Sequence, residues 1–397
     1  MNRQLKSHSL LFILLIIATL LFLLYLRIQP ELTYDFSPLF DGNKYSNAYK
    51  YFSGSTPNYS VPFPFHSRIL VPFLASLLPV DTITNNFHII NYIFVLASII
   101  AIYGLWRLLG ISNGYMMTGF FWLMVHWSGL IRYNIFDPIT VDVPIYFFQA
   151  LLLIIIIKRK LWWLLILGPI ATLQKESFIG ILFIVLLVSI FKKSYFNYSF
   201  KEISLLAAAL VISILSKEVV NYYFLPANPD KNSLIVVLFH IKESIIHPFR
   251  LIRWGVGAFT AYGPLLLLSI WVSIKNKSIN ANGWYLIALS GLYMAYSLLA
   301  GSDFTRIALL GFPYIMTWIL VQTKEARGFL FKISFIIGLP LLKLFSTIPD
   351  PAVSGWNSFN KWFPTFANPI LVLLWLLYAV LCVLIFWITE KKLSRLP

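Results

Sequence analysis

Residues 9–28 read Ser9-Leu10-Leu11-Phe12-Ile13-Leu14-Leu15-Ile16-Ile17-Ala18-Thr19-Leu20-Leu21-Phe22-Leu23-Leu24-Tyr25-Leu26-Arg27-Ile28, an apolar run with no charge before Arg27. A helix needs about 20 such residues to cross the hydrocarbon of a bilayer, and this run supplies them. A cleaved signal peptide has an apolar core of only about 7 to 15 residues and a small-residue cleavage site. Gln29-Pro30 follows here with no small-x-small site, so the run is predicted to remain as a span.

The same pattern recurs outward from it. Segments 88–106, 115–131, 143–157, 161–173, 177–191, 203–225, 256–274, 284–300, 307–321, 329–347 and 368–388 are apolar and separated by polar or Pro/Gly-rich stretches. Together they predict about 12 transmembrane helices, within a range of about 10 to 13. The short segments 161–173 and 177–191, with the Gly168-Pro169 break, suggest bent or partly re-entrant helices whose freed backbone is buried in protein or faces water. The expected fold is one all-α polytopic membrane domain over 1–397, with short interfacial helices in 226–253 and 348–367.

Of 397 residues, 59% are hydrophobic and 12% charged, which excludes a soluble enzyme, a disordered chain and a secreted disulfide scaffold. The single cysteine, Cys382, excludes a disulfide framework and a Cys-based metal site. Thirty-one basic and 15 acidic residues give +16, a value that in a soluble protein would point to nucleic acid. With alternating spans, however, Arg3, Lys6, Arg107, Lys158-Arg159-Lys160, Lys192-Lys193, Lys201, Lys275, Lys277, Lys324, Arg327, Lys332, Lys391, Lys392 and Arg395 all fall on one side. That is the positive-inside pattern, with the charge facing anionic membrane lipid. Both termini are therefore expected in the cytoplasm, and no nucleic-acid partner is expected. A cysteine-poor chain of this kind fits a multi-pass protein of a bacterial inner membrane.

Most acids then fall on the other side. The first outer loop contains Tyr34-Asp35, then Asp41-Gly42-Asn43-Lys44-Tyr45, then Pro62-Phe63-Pro64-Phe65-His66-Ser67-Arg68. A carboxylate at Asp41 can accept a proton from an incoming hydroxyl, or hold a divalent cation with Asp35; an Asp before Gly also commonly forms a turn or helix cap. His66 and Arg68, two apart, point the same way if the backbone is extended, and arginine presents a fork of donors suited to phosphate. A juxtamembrane arginine can equally snorkel to headgroups.

Further along, Asp137-Pro138 and Asp142 stand at the mouth of a span that Pro144 begins. Acids at membrane depth are costly and tend to be paired or functional. Gln174-Lys175-Glu176-Ser177 places an ammonium and a carboxylate side by side between apolar runs, either a self-neutralising pair or a phosphate contact. In Ser302-Asp303-Phe304-Thr305-Arg306, capping by Ser302 or Asp303 is compatible with anion binding by Arg306 at a helix start. His240 and His247, seven apart with no third ligand in spacing, do not make a zinc site.

The set Asp41-Gly42 with Tyr45, Pro64-Phe65-His66-Ser67-Arg68-Ile69-Leu70-Val71-Pro72, Lys175-Glu176-Ser177 and Ser302-Asp303-Phe304-Thr305-Arg306 resembles the GT-C superfamily of integral-membrane glycosyltransferases. The resemblance covers the whole chain as a pattern of spans and loops, with specific motifs only at these places. It implies transfer of a sugar from a polyprenyl-phosphate donor to a lipid, glycan or protein acceptor on the extracytoplasmic face. By position it implies Asp41 as general base or metal contact, with Asp137, Asp303, Asp35 or Asp142 as second acid. Arg68, Lys175, Arg306 and His66 would lie around the donor phosphate, supported by Tyr45 and Glu176. Asp41 has no adjacent acid, unlike the superfamily's frequent acid pairs, so a magnesium or manganese cofactor is left open. Two rival readings of the same chain are a secondary transporter or lipid-linked glycan flippase, and a polysaccharide polymerase or ligase.

Overall fold

The computed structural model describes residues 2–393 except 79, 81, 229–232, 276–280, 302 and 325–327, so Ser302, Lys277, Arg327 and Arg395 lie outside the described residues. All of its regular structure is helical: α1 Asn2–Ile28, α2 Asp41–Phe52, α3 Leu70–Ser76, α4 Ile83–Leu108, α5 Asn113–Val125, α6 Arg132–Phe136, α7 Val143–Ile157, α8 Leu164–Gln174, α9 Ser177–Phe191 and α10 Lys193–Phe196. There follow α11 Phe200–Tyr223, α12 Ser233–Ile246, α13 Phe249–Lys275, α14 Ala281–Leu299, α15 Phe304–Leu310, α16 Phe312–Thr323, α17 Gly328–Gly338, α18 Pro351–Ser354, α19 Trp356–Asn360 and α20 Pro369–Leu393.

Within α1, α4, α11, α13 and α20 lie five stretches long and apolar enough to cross a membrane. A sixth appears if α15 and α16, bent by 74° at Gly311, count as one broken span. Such helices mark a multi-pass membrane protein, and large side chains left exposed on them, such as Leu20, Leu373 and Leu381, suit a lipid-facing belt. The twelve apolar segments thus correspond to helices of very unequal length. Val143–Ile157, Leu161–Gln174, Ser177–Phe191 and Gly328–Leu342 are apolar but shorter, and the segment read as 115–131 leaves the helix at Val125.

α13 shows how a broken helix is made tolerable. Gly263 in α13 has φ 61° and ψ −152°, a conformation only glycine adopts readily, and Pro264 follows it. Proline has no N–H, so the carbonyl of Thr260 loses its helical donor, and the break also frees that of Ala261. Each finds a replacement on α5 or just after it. The Trp122 indole donates to Ala261 O at 2.8 Å, and His126 Nε2 lies 3.0 Å from Thr260 O. Without water, freed backbone groups need such partners.

The two ends of the bundle differ in chemistry. Near one end, Arg159 after α7 pairs with Glu202 in the first turn of α11 at 4.0 Å, and Lys275 at the end of α13 pairs with Glu390 near the end of α20. At the other end the starts of α2, α7, α9 and α15, the end of α8 and the loop before α3 converge, and most of the acidic residues read from the sequence meet there.

Candidate functional site

Asp142, immediately before α7, is the hub of that convergence. Lys175 donates to its Oδ1 at 2.7 Å, and Arg306 Nη1 donates to its Oδ2 at 2.9 Å. Burial alone would raise this carboxyl, but Lys175 and Arg306 outweigh it and hold it at about 2, so Asp142 stays ionised. Lys175, itself lowered by burial and steadied by Asp142, commits one of its three N–H donors to this contact.

Arg306 lies on the first turn of α15 because Asp303 caps that helix, its side chain accepting from Arg306 N at 3.1 Å. The guanidinium sits over the Tyr133 ring, 5.3 Å from its centroid, with Nε 3.2 Å from Asp303 Oδ2. Its Nη2 makes no hydrogen bond among the described residues and stands 4.0 Å from Asp41 Oδ2.

Asp41 is the first residue of α2. The cap position belongs to Phe40, which has no side chain able to cap, so Asp41 does not spend its carboxylate on the helix end. Its side chain is 39% exposed, against 7% for Asp142 and 13% for Asp303, making it the open carboxylate of the group. Gly42 explains the adjacent glycine: a Cβ there would lie 2.1 Å from Cε1 of Tyr34. The close approach lets the Tyr34 hydroxyl donate to Asp137 Oδ1 at 2.6 Å while accepting from Ile139 N at 2.9 Å. Asp137 is buried, and burial pushes its carboxyl up to about 7, against the opposing Tyr34 hydrogen bond and Arg306 charge.

Lys175 and Glu176, adjacent in sequence, do not neutralise each other. Glu176 instead accepts from Arg68 Nε at 2.9 Å and Nη2 at 2.7 Å, and Arg68 Nη1 donates to the Tyr45 hydroxyl at 3.0 Å. Every nitrogen of that guanidinium is committed. Burial raises the Glu176 carboxyl, and Arg68 more than reverses this, holding it at about 2. Arg68 therefore acts as a clamp between α2 and the α8–α9 turn, with three of its five N–H groups used in it, and Lys175 and Arg306 Nη2 are further donors with spare capacity.

Residues 62–68 are not the extended segment expected. Phe65 N and His66 N both bond back to Pro62 O, and Phe65–Ser67 is a 3-10 turn, because Pro62 and Pro64, two residues apart, favour a tight reversal. His66 consequently diverges from Arg68. Its Nε2 meets Asn221 of α11 at 3.0 Å, giving it no direct bond to the cluster. Asp35 is exposed on its own short turn, with no ion pair to the cluster among the described residues. Among those residues no group of three or more His, Cys, Asp or Glu is placed to hold a metal ion.

Below Arg68, an apolar groove of about 580 Å³ begins at Leu70 and Leu74 and runs between α4, α7 and α8 to Lys158, Lys160 and Trp163. The residues that sequence reasoning passed over are aromatic: Tyr34 and Tyr133 orient Asp137 and Arg306. Their only linear signal is their place beside residues already singled out. No family model, curated protein or solved structure matches the chain.

Proposed function

We propose that the chain is an inverting, membrane-embedded glycosyltransferase of GT-C type, moving a sugar from a polyprenyl-phosphate donor to a lipid, glycan or protein acceptor on the extracytoplasmic face. The observation that carries this reading is the open Asp41 carboxylate, free of hydrogen bonds among the described residues, 4.0 Å from an uncommitted Arg306 nitrogen. The apolar groove that starts two residues after Arg68 supports a lipid-borne donor.

In this mechanism Asp41 takes the proton of the acceptor hydroxyl as its oxygen attacks the anomeric carbon from the face opposite the phosphate. The carbon–oxygen bond to phosphate breaks with its electron pair staying on phosphate, and the configuration inverts. Lys175 and Arg306 meet the charge that develops there, where a water-poor setting strengthens each contact. Asp142 keeps both cations in place, and Arg68–Glu176 holds the α8–α9 turn that carries Lys175. Any divalent ion would have to be bound together with substrate oxygens.

A second reading is favoured by one observation: three cations here are matched by carboxylates of Asp142, Glu176, Asp303 and Asp41, an arrangement that also suits a transporter or flippase. Incubating the purified protein with a panel of polyprenyl-phosphate sugars separates the two. Mass spectrometry should find a glycosylated acceptor and free carrier phosphate. Carrier movement across proteoliposomes without any cleavage would overturn the transferase reading.

A further inference from the structure

A second group of cations is distinct from the Asp41 cluster, and no acid among the described residues pairs with it. Lys343 ends the 3-10 turn Leu339–Leu342 that continues α17, in the left-handed conformation, φ 49° and ψ 49°. Such strain in a side-chain-bearing residue is retained where the surroundings require it. The ammonium lies 4.9 Å from the Trp127 ring centroid and 4.2 Å from that of Trp362, and donates to Trp362 O at 3.0 Å. Arg132, 1% exposed, stacks over Tyr25 and Trp362 and donates to the carbonyls of Leu342 and Lys343. Its Nε is buried without an acceptor. Among the described residues neither the buried Arg132 nor the half-buried Lys343 pairs with a carboxylate, although a charge as deep as Arg132 is normally paired.

Of these, Lys343, Trp127 and Trp362 wall a cavity of about 100 Å³, lined also by Thr260, Lys361, Pro364 and Trp375, while Arg132 stands behind Trp362 and Lys343 and does not line it. Trp127 is fully buried and lines the same cavity, yet its indole N–H has no acceptor, where a buried indole usually finds one. The volume is that of about three water molecules in the liquid, enough for one phosphate or carboxylate group. We propose that this cavity binds a small oxyanion group, phosphoryl or carboxylate, carried by a ligand that enters beside the 348–367 stretch. The oxyanion accepts from the spare Lys343 N–H groups and the Trp127 N–H, and supplies the counter-charge that Lys343 and Arg132 lack. The site stands whether or not the chain transfers sugar.

The test is a thermal-shift titration of the purified full chain in detergent, at constant ionic strength, with inorganic phosphate, glucuronate and glucose as probes. A saturable rise in Tm is expected with phosphate, with glucuronate or with both, and none with glucose. Phosphate alone assigns a phosphoryl ligand, and glucuronate alone an acidic sugar. In an Arg306→Gln background, which removes the phosphate contact proposed for the Asp41 cluster, Lys343→Met should abolish the shift, Lys343→Arg should retain it, and Trp127→Phe should weaken it several-fold. Arg306→Gln by itself should leave the shift in place. No saturable shift with either anion, an equal shift with glucose, loss in Arg306→Gln alone, or retention when Lys343→Met is added to it would each overturn the proposal. If the Lys343→Met variant does not fold, weakening of the shift when Trp127→Phe is added to Arg306→Gln decides in its favour, and an unaltered shift against it.

Discussion

Arg68 and Glu176 hold each other through two parallel hydrogen bonds with side chains only 11% and 20% exposed, so removing one strands the other. Leaving a buried charge without its partner costs about 3–5 kcal/mol, while replacing both by apolar groups can be nearly neutral. Arg68→Met is therefore expected to lower the thermal midpoint of the purified protein markedly, and Arg68→Met with Glu176→Leu to recover most of the loss. A double variant no better than the single would show that the pair does not act as a clamp. Asp137 gives a pH signature of the opposite sign to its neighbours. Its folded carboxyl sits at about 7, above the unfolded value near 4, so the folded state binds the extra proton and stability falls as pH rises between them. Asp142 and Glu176, held at about 2, contribute stability above pH ~4 that is lost as pH falls toward 2. Relative to Asp137→Asn, wild-type Tm should thus fall from pH 5 to pH 8, while the acid limb is common to both. An unchanged slope would contradict it. Which residue types carry chemistry was legible in the sequence, because charge in an apolar chain is conspicuous. Which charge pairs with which was not: Lys175 takes Asp142, 33 positions away, rather than its neighbour Glu176.

At the level of elements, α2 is set by the packing of Tyr34 beneath Gly42 rather than by a side-chain cap. Gly42→Ala must displace the Tyr34 ring, and overpacking of this kind costs about 1–3 kcal/mol. It should lower Tm and reduce activity together, and Gly42→Ala with Tyr34→Phe should not restore activity, since the hydrogen bond to Asp137 is lost as well. Wild-type activity in Gly42→Ala would separate Tyr34 from the site. Apolar length was a good guide to α1, α4, α11 and α20, where nothing interrupts the run. It could not foresee that α13 breaks at Gly263 or that α5 stops at Val125, because the partners that satisfy the α13 break, Trp122 and His126, lie on and just after a helix more than a hundred residues earlier. A shared direction for His66 and Arg68 required extended backbone, and it fails for a related reason: Pro62 O draws two following N–H groups back onto itself.

For the molecule as a whole, the argument is one of geography. Basic residues such as Arg159 and Lys275 lie at one end of the bundle and the Asp41 cluster at the other, and positive-inside charge predicts that the first end faces the cytoplasm. Because Cys382 is the only cysteine, Cys382→Ser gives a clean background for labelling. In it, Ser55→Cys, at an exposed position between α2 and α3, should react with a membrane-impermeant maleimide from outside intact cells, and Lys324→Cys only after permeabilisation; the reverse would invert the assignment. That four charged loops would meet was expected from their chemistry, and the meeting of Asp41, Asp142, Lys175 and Arg306 is seen. His66 and Asp35, whose direction depends on local turns, are not part of it. The most direct test of the central claim is sugar transfer by purified wild-type and Asp41→Asn protein, assayed side by side with a polyprenyl-phosphate sugar the wild type uses. Loss of a general base costs about 100- to 10,000-fold in rate, and the account predicts a drop of that size with Tm and membrane insertion unchanged. Transfer by Asp41→Asn at or near the wild-type rate would contradict it.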